Sequence, residues 1–433
     1  MGLNSVRTSL NKLLFCLALF STMPIVSIPI AGKTISFFTI LLPVTFLALL
    51  SKGIKTRRID SKPERLFLSF LLISILCSLF GALYFYDIPG FTKTAINTAL
   101  KTSVFLILGY LIFSKRLDRL EVEDFAKGLL AGAVINLIWA SIDGFVFYFS
   151  GISINNEVFS YYINTHSDEE IRYGMISLVL PGTGIRASGF NYDPAHIGML
   201  APFVFAYSYI TKKRWLTVLV LMSLIFSQSS TALVTCLIIV VLFNMFNTKY
   251  MKATLGVVLV GVFALFILSR TPAWDSIQGF ITRTQNKFEA GTENLRIIYN
   301  FEFPKAIINS PINLILGTGF GTASYPFYKA GLIRSPALVD PENTYISYLF
   351  DIGLIGLTVY CMMIIILFKR VWDRNKGDKS ELTNSIIFSG VVSVIITCFF
   401  YHYILYATSV LIIIVGSAWC GLLQRELKNT NET

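Results

Sequence analysis

Residues 66–86 read LFLSFLLISILCSLFGALYFY, 21 positions without one charged side chain. As a helix rising about 1.5 Å per residue, this run is about 31 Å long, which matches the hydrocarbon core of a bilayer. Lys62 and Arg65 stand just before it and Asp87 just after it. Similar runs lie near 13–30, 35–51, 94–113, 125–149, 195–210, 215–228, 231–246, 253–269, 343–368, 386–400 and 403–421. The whole 433-residue chain is 54% hydrophobic and 14% charged, with a mean hydropathy of +0.66. A soluble surface needs about a quarter charged residues. The sequence therefore predicts an all-α, polytopic helical membrane protein of about 12 transmembrane helices, with two large external loops. It excludes a soluble enzyme, a disulfide scaffold and a nucleic-acid binder.

Cys16, Cys77, Cys236, Cys361, Cys398 and Cys420 all fall inside apolar runs, where cysteine behaves as a small hydrophobe. No Cys-x-x-Cys or Cys/His cluster occurs, so neither bridges nor a metal centre are expected. Arg7 and Lys12 precede the first run as in a secretory signal, but no small-x-small cleavage site follows, so an uncleaved span is expected. With both ends inside, the inner segments collect about two thirds of the lysines and arginines, as the positive-inside rule requires. Lys52, Lys55, Arg57, Arg58, Lys62 and Arg65 form one such group, and Lys369, Arg370, Arg374, Lys376 and Lys379 another.

This orientation divides the chain into spans one to five (1–150), a first external loop (151–194) and spans six to nine (195–269). A second external loop (270–342) and spans ten to twelve with an inner tail (343–433) complete it. Loops of such length are uncommon unless functional or disordered, and both are rich in aromatic and aliphatic residues. In the second, Ile297, Ile298, Phe301, Lys305 and Ile308 recur at near-helical spacing, with an interruption at Pro304 and a turn signal at Asn309-Ser310-Pro311. The spacing predicts a kinked amphipathic helix at the outer membrane interface.

Charges inside spans are costly, so Lys101, Asp143 and Asp351 stand out; each lies roughly 9–13 Å below the outer surface. A structural pair between Lys101 and an acid is one expectation. In the first loop, Arg186-Ala-Ser-Gly189-Phe-Asn-Tyr-Asp193-Pro194-Ala-His196 leads into the sixth span. Asp193 can cap that helix with Pro194 at its first position. His196 reads by itself as a packed histidine, whereas Arg186 is suited to bidentate phosphate contact. The second loop carries Arg270, Arg283, Lys287, Arg296, Lys305, Lys329 and Arg334; Arg296 is its best ligand candidate. The most specific stretch is Pro341-Glu342-Asn343-Thr-Tyr345-Ile-Ser-Tyr-Leu-Phe-Asp351-Ile-Gly353-Leu-Ile-Gly356. A carboxylate and a carboxamide at a helix start, faced by loop arginines, suit a site that handles a hydroxyl and a phosphate together. Gly353 and Gly356 permit close helix approach.

That stretch resembles the signature of the bacterial O-antigen polymerase (Wzy) and O-antigen ligase family: His-Asn-x-Tyr, then an acid, then Gly-x-x-Gly. Asn343, Tyr345, Asp351, Gly353 and Gly356 match, and Glu342 stands where the ligases carry histidine. Upstream, Arg296 followed by Gly317-Thr-Gly319-Phe-Gly321 is similar to the family's Arg…Gly-x-Gly segment, and Arg186 to Pro194 to its first-loop pattern. Ser229-Ser230-Thr231 sits where the family has Ser-Arg-Gly, without the arginine. The resemblance implies a metal-independent, cofactor-free glycosyltransferase at the periplasmic face of the bacterial inner membrane, with both termini cytoplasmic. Its substrates would be undecaprenyl-diphosphate-linked glycan donor and acceptor, presented from the lipid bilayer. A chain-length regulator and a flippase are admitted as further partners, and nucleic acid is not. In that chemistry Glu342 acts as base, and Arg186 and Arg296 neutralise the departing diphosphate. Asn343, Tyr345, Asp193, His196, Arg334 and Asp351 bind substrate. Glu342 in place of histidine favours a polymerase over a ligase, and the outer-half position of the charges disfavours a transporter. Arg186→Ala and Arg296→Ala are each expected to slow glycan transfer by about 10²–10³-fold. Normal glycan length in both variants at normal protein level, read on a gel, would remove the leaving-group role.

Overall fold

The computed structural model describes residues 3–30, 33–52, 59, 61–87, 90–159, 178–180, 184–191, 196–245, 311–320, 322, 343–377, 382–400 and 407–432. The chain is mostly helical. In order, the elements are α1 (Leu3–Ser21), β1 (Ser27–Ile30), β2 (Lys33–Ser36), α2 (Phe37–Ser51), α3 (Lys62–Tyr84), α4 (Phe91–Lys115) and α5 (Arg119–Ser150). There follow α6 (Ile154–Val158), β3 (Leu178–Leu180), β4 (Gly184–Arg186), α7 (Ile197–Thr211), α8 (Arg214–Ser227) and α9 (Ser230–Met245). The last are α10 (Pro311–Leu316), α11 (Thr344–Gly377), α12 (Leu382–Thr397) and α13 (Ala407–Glu432).

Among the described residues, five helices are long and apolar enough to cross a membrane: α3, α4, α5, α11 and α13. Shorter apolar helices occupy Leu10–Ser21, Phe37–Ser51, Ile197–Thr211, Arg214–Ser227, Ser230–Phe243 and Leu382–Thr397. Each coincides with a predicted span, and the predicted span at 253–269 lies outside the described residues, as does the predicted amphipathic helix at 296–308. The first span needs correction. Its helix stops at Ser21, because Pro24 has no N–H to continue the ladder, and the chain then forms the antiparallel hairpin β1–β2 with Ser27 opposite Ser36. A second small hairpin, β3–β4, lies in the first loop. The architecture is thus that of an integral membrane protein of helices with two short β-hairpins among the described residues.

Helix α3 shows how the chain meets lipid. Ser61 caps it by accepting from the Glu64 N–H at 3.4 Å, and Pro63 sits in the first turn. Leu72, Leu76, Leu79 and Leu83 point outward, and Leu83 is 78% exposed. Its inner face carries Phe67, Phe70, Ser74, Cys77 and Ser78. Leucine outside and serine inside reverses the soluble pattern, and suits a helix whose solvent is hydrocarbon.

The fold divides into two compact units, one of Met1–Ala18, Leu41–Leu129 and Thr292–Thr433, the other of Leu19–Ile40 and Leu130–Gly291. In the first unit, α3 packs along α4 and α11, with α12 and α13 beside α11. Phe70, Phe320, Tyr348 and Tyr360 form an aromatic cluster there, with ring centroids 4.8–6.4 Å apart. Charged helix ends gather at one end of this unit. Lys52 pairs with the buried Glu121, Arg119 pairs with Glu123 at 3.3 Å and lies over Trp419, and Arg370 donates to Gln424 at 3.1 Å. In the second unit α7 packs against α8 and α9.

Helix α11 is broken at Gly353, where φ is +63°. A Cβ there would lie 2.2 Å from the Ile315 carbonyl oxygen. Both the left-handed backbone and the missing space demand glycine. Gly353→Ala is expected to destabilise the protein by more than the about 1–2 kcal/mol of backbone strain alone. A thermal melt of the purified full-length variant would show it as a lower Tm or a lost transition.

Candidate functional site

The start of α11 is built by capping. The Asn343 side-chain oxygen accepts from the Tyr345 N–H at 2.9 Å and the Ile346 N–H at 3.1 Å, an N-cap. Its amide group donates to the Phe399 carbonyl at 2.9 Å. Beside it the Thr344 N–H donates to the Cys398 carbonyl at 2.9 Å, and the Tyr345 hydroxyl to the Ile395 carbonyl at 3.1 Å. Those carbonyls sit at the C-terminal end of α12, where a helix has no partners of its own to offer. One helix start therefore satisfies another helix end. The Tyr345 ring lies 4.4 Å from that of Phe399, which fixes the phenol against the same end.

One and a half turns on, Asp351 is 1% exposed. Its carboxylate accepts from the Ser347 hydroxyl at 3.2 Å and from the Thr322 N–H at 3.2 Å. The break at Gly353 also frees main-chain carbonyls. That of Phe350 accepts from the Thr318 N–H at 2.8 Å, and that of Asp351 from the Gly319 N–H at 2.9 Å. Ser78 on α3 holds the same segment by accepting from the Phe320 N–H at 2.9 Å. Gly317, at φ +76°, leaves no room for a Cβ against the Asp351 carbonyl. The Gly317–Phe320 stretch and the Asp351–Gly353 stretch, some thirty residues apart in sequence, are thus one interlocked structure. Gly353, expected from the sequence to permit close helix approach, is also the break that creates the docking point.

In the other unit, Arg186 ends β4 and is half-buried. The next residue, Ala187, donates its N–H to the Phe226 carbonyl at 2.9 Å, at the end of α8. Ser188 is reached by a buried relay: Asp143 in α5 accepts from the Ser153 hydroxyl at 2.9 Å and the Asn155 N–H at 3.0 Å. Asn155 then donates to the Ser188 hydroxyl at 3.0 Å and accepts from the Trp139 indole at 3.1 Å. His196 stands at the N-cap position of α7 and is buried. Gln228, in a left-handed conformation, ends α8, and Ser229 caps the following helix through the Ala232 N–H at 3.3 Å.

Asn343, Tyr345 and Asp351 therefore share one scaffold, and Arg186 and His196 lie in the other unit. Glu342, Arg296, Arg334 and Asp193 lie outside the described residues. Lys101 is exposed on α4, and among the described residues it forms no ion pair with Asp351. Asn155 and Ser78 escaped the sequence reading, which weighed charges and motifs. Their signal was the weaker one of an uncharged polar residue in or beside an apolar run.

Residues 215–361, about a third of the chain, match the family Wzy_C, described as O-antigen ligase. This is the family that the sequence resembles, and the match contains the Gly317–Gly321 segment and the whole stretch from Glu342 to Gly356. No curated protein matches the chain. The geometry gives Asp351 an anchoring task, which a pair of substitutions isolates. Asp351→Asn keeps an acceptor toward Thr322 and is expected to fold normally. Asp351→Leu strands that buried N–H and is expected to cost about 1–3 kcal/mol, measured as unfolding of the full-length protein in detergent.

Proposed function

We propose that this integral membrane protein is a glycosyltransferase that polymerises undecaprenyl-diphosphate-linked repeat units into a surface polysaccharide, O-antigen or a related polymer. The family match over residues 215–361, with Glu342 at the position where ligases carry histidine, is the observation that carries this reading. In the proposed reaction a hydroxyl on the acceptor's terminal sugar attacks the anomeric carbon of the donor glycan. The new glycosidic C–O bond forms as the anomeric C–O bond to diphosphate breaks. Glu342 takes the hydroxyl proton, and undecaprenyl diphosphate departs with the bond's electron pair. Arg186 and Arg296 stabilise the charge that develops on the diphosphate, and Arg334 adds to them. Asn343, Tyr345, Asp351, Asp193 and His196 shape the sugar and headgroup sites. For Asn343 and Tyr345 the α12 end already fixes the side chains, which is the preorganisation that such stabilisation needs.

The site is proposed at the periplasmic face of the bacterial inner membrane, with the termini cytoplasmic. The gathering of paired charges at one end of the first unit supports that orientation. A ligase that passes the finished polymer to lipid A core is the second reading, favoured by the family's description. Gel-resolved glycan from a strain lacking the gene separates the two. The polymerase predicts lipid A core capped by a single repeat unit, and the ligase predicts bare core with polymer left on its lipid carrier. Within the polymerase reading, Glu342→Gln is expected to reduce chain extension by at least about 10²-fold. Near-normal extension would leave Glu342 no part in proton transfer.

A further inference from the structure

Asn136 sits in the middle of α5, in the apolar run Ala133-Val-Ile-Asn136-Leu-Ile, and is fully buried. An amide in such a place is costly unless every polar atom is paired. Its oxygen accepts from the Phe190 N–H at 3.1 Å and from the Asn191 amide at 3.1 Å. Its own amide donates to the Thr22 carbonyl at 2.5 Å. Gly189, at φ +64°, passes so close that a Cβ would lie 2.0 Å from that oxygen. Phe190 is then clamped, its ring stacked 5.0 Å from Trp139 and its carbonyl accepting from the Ile25 N–H at 3.3 Å. Asn191 returns a second bond to the Ser188 carbonyl at 3.1 Å. The second half of the turn that follows Arg186, Gly189 to Asn191, is therefore held against one carboxamide on a membrane helix.

We propose that Asn136 is a positioning residue for the reaction: it sets the 187–191 turn, and through it holds Arg186 where the diphosphate of the lipid carrier binds. The inference rests on the role proposed above for Arg186. The turn's own bonds run from Asn191 to the Ser188 carbonyl, and Gly189 between them admits many conformations. Among the constraints from outside the turn, the Asn136 oxygen is the one that holds two of its donors, the Phe190 N–H and the Asn191 amide. Asn136→Leu keeps the side chain's approximate volume and removes both acceptor and donor. Asn136→Asp keeps the acceptor, and so serves as the conservative comparison.

The test is binding of undecaprenyl diphosphate to the full-length protein in nanodiscs, with a thermal melt of each variant. Arg186→Ala and Asn136→Leu are each expected to weaken binding at least about tenfold, the scale of one lost buried hydrogen-bond partner. Asn136→Asp should restore binding to within a few-fold of the parent. In the double variant Arg186→Ala/Asn136→Leu, binding should fall no further than in Arg186→Ala alone, because both act through one contact. Additive losses, or parent-like binding by a folded Asn136→Leu protein, would overturn the positioning role while leaving that of Arg186 standing. Parent-like binding by Arg186→Ala would overturn the role of Arg186 and the inference with it. Should Asn136→Leu fail to fold, Asn191→Ala removes one donor from the same oxygen and carries the same comparison.

Discussion

A main-chain carbonyl released inside a bilayer has no water to turn to, and the first unit is arranged around that fact. Helix α11 breaks at Gly353, and the carbonyls of Phe350 and Asp351 lose the helical partners they would have had. Residues 317–320 and Thr322 supply the replacements, with the Thr318 and Gly319 N–H groups on those two carbonyls and the Thr322 N–H on the Asp351 carboxylate. Glycine at 317 and 353 is what lets two backbones come that near. The break and the segment require one another. An unbroken α11 would leave the segment's donors stranded, and a displaced segment would leave the carbonyls stranded.

The same rule governs the polar side chains. Ser74 and Ser78 in α3, and Ser389 and Thr397 in α12, spend their hydroxyl protons on carbonyls four residues earlier. Ser78 then has an oxygen left to receive the Phe320 N–H. Helix α12 has only 16 residues, about 24 Å, which is shorter than the hydrocarbon core. Its side chains are buried along almost the whole length, so protein rather than lipid surrounds it.

Much of this was legible in the chain. Apolar length marked the helices, because the bilayer filters for it, and the order Gly317, Gly319, Asn343, Tyr345, Asp351, Gly353 marked the motif. The interlock was not legible. Hydrogen bonding between segments some thirty residues apart leaves no periodicity to read, and Gly353 looks the same in sequence whether it spaces two helices or breaks one. The hairpin at Ser27–Ser36 was hidden for a related reason, since Ile25, Val26, Ile28 and Ile30 extend an apolar run and only Pro24 and Pro29 hint at its interruption. Asn136, Asn155 and Ser78 show a further limit. A neutral polar residue gives a weak hydropathy signal, yet in a dry environment it organises as much structure as a charge.

The capping of α12 by α11 bears on how the protein is made. The ribosome delivers Asn343, Thr344 and Tyr345 some fifty residues before the carbonyls of Ile395, Cys398 and Phe399 that receive them. Until that second helix has entered the membrane, the motif has a start without a counterpart. A chain cut short before residue 395 would contain every residue of the motif, but the acceptors that orient Asn343 and Tyr345 would be missing.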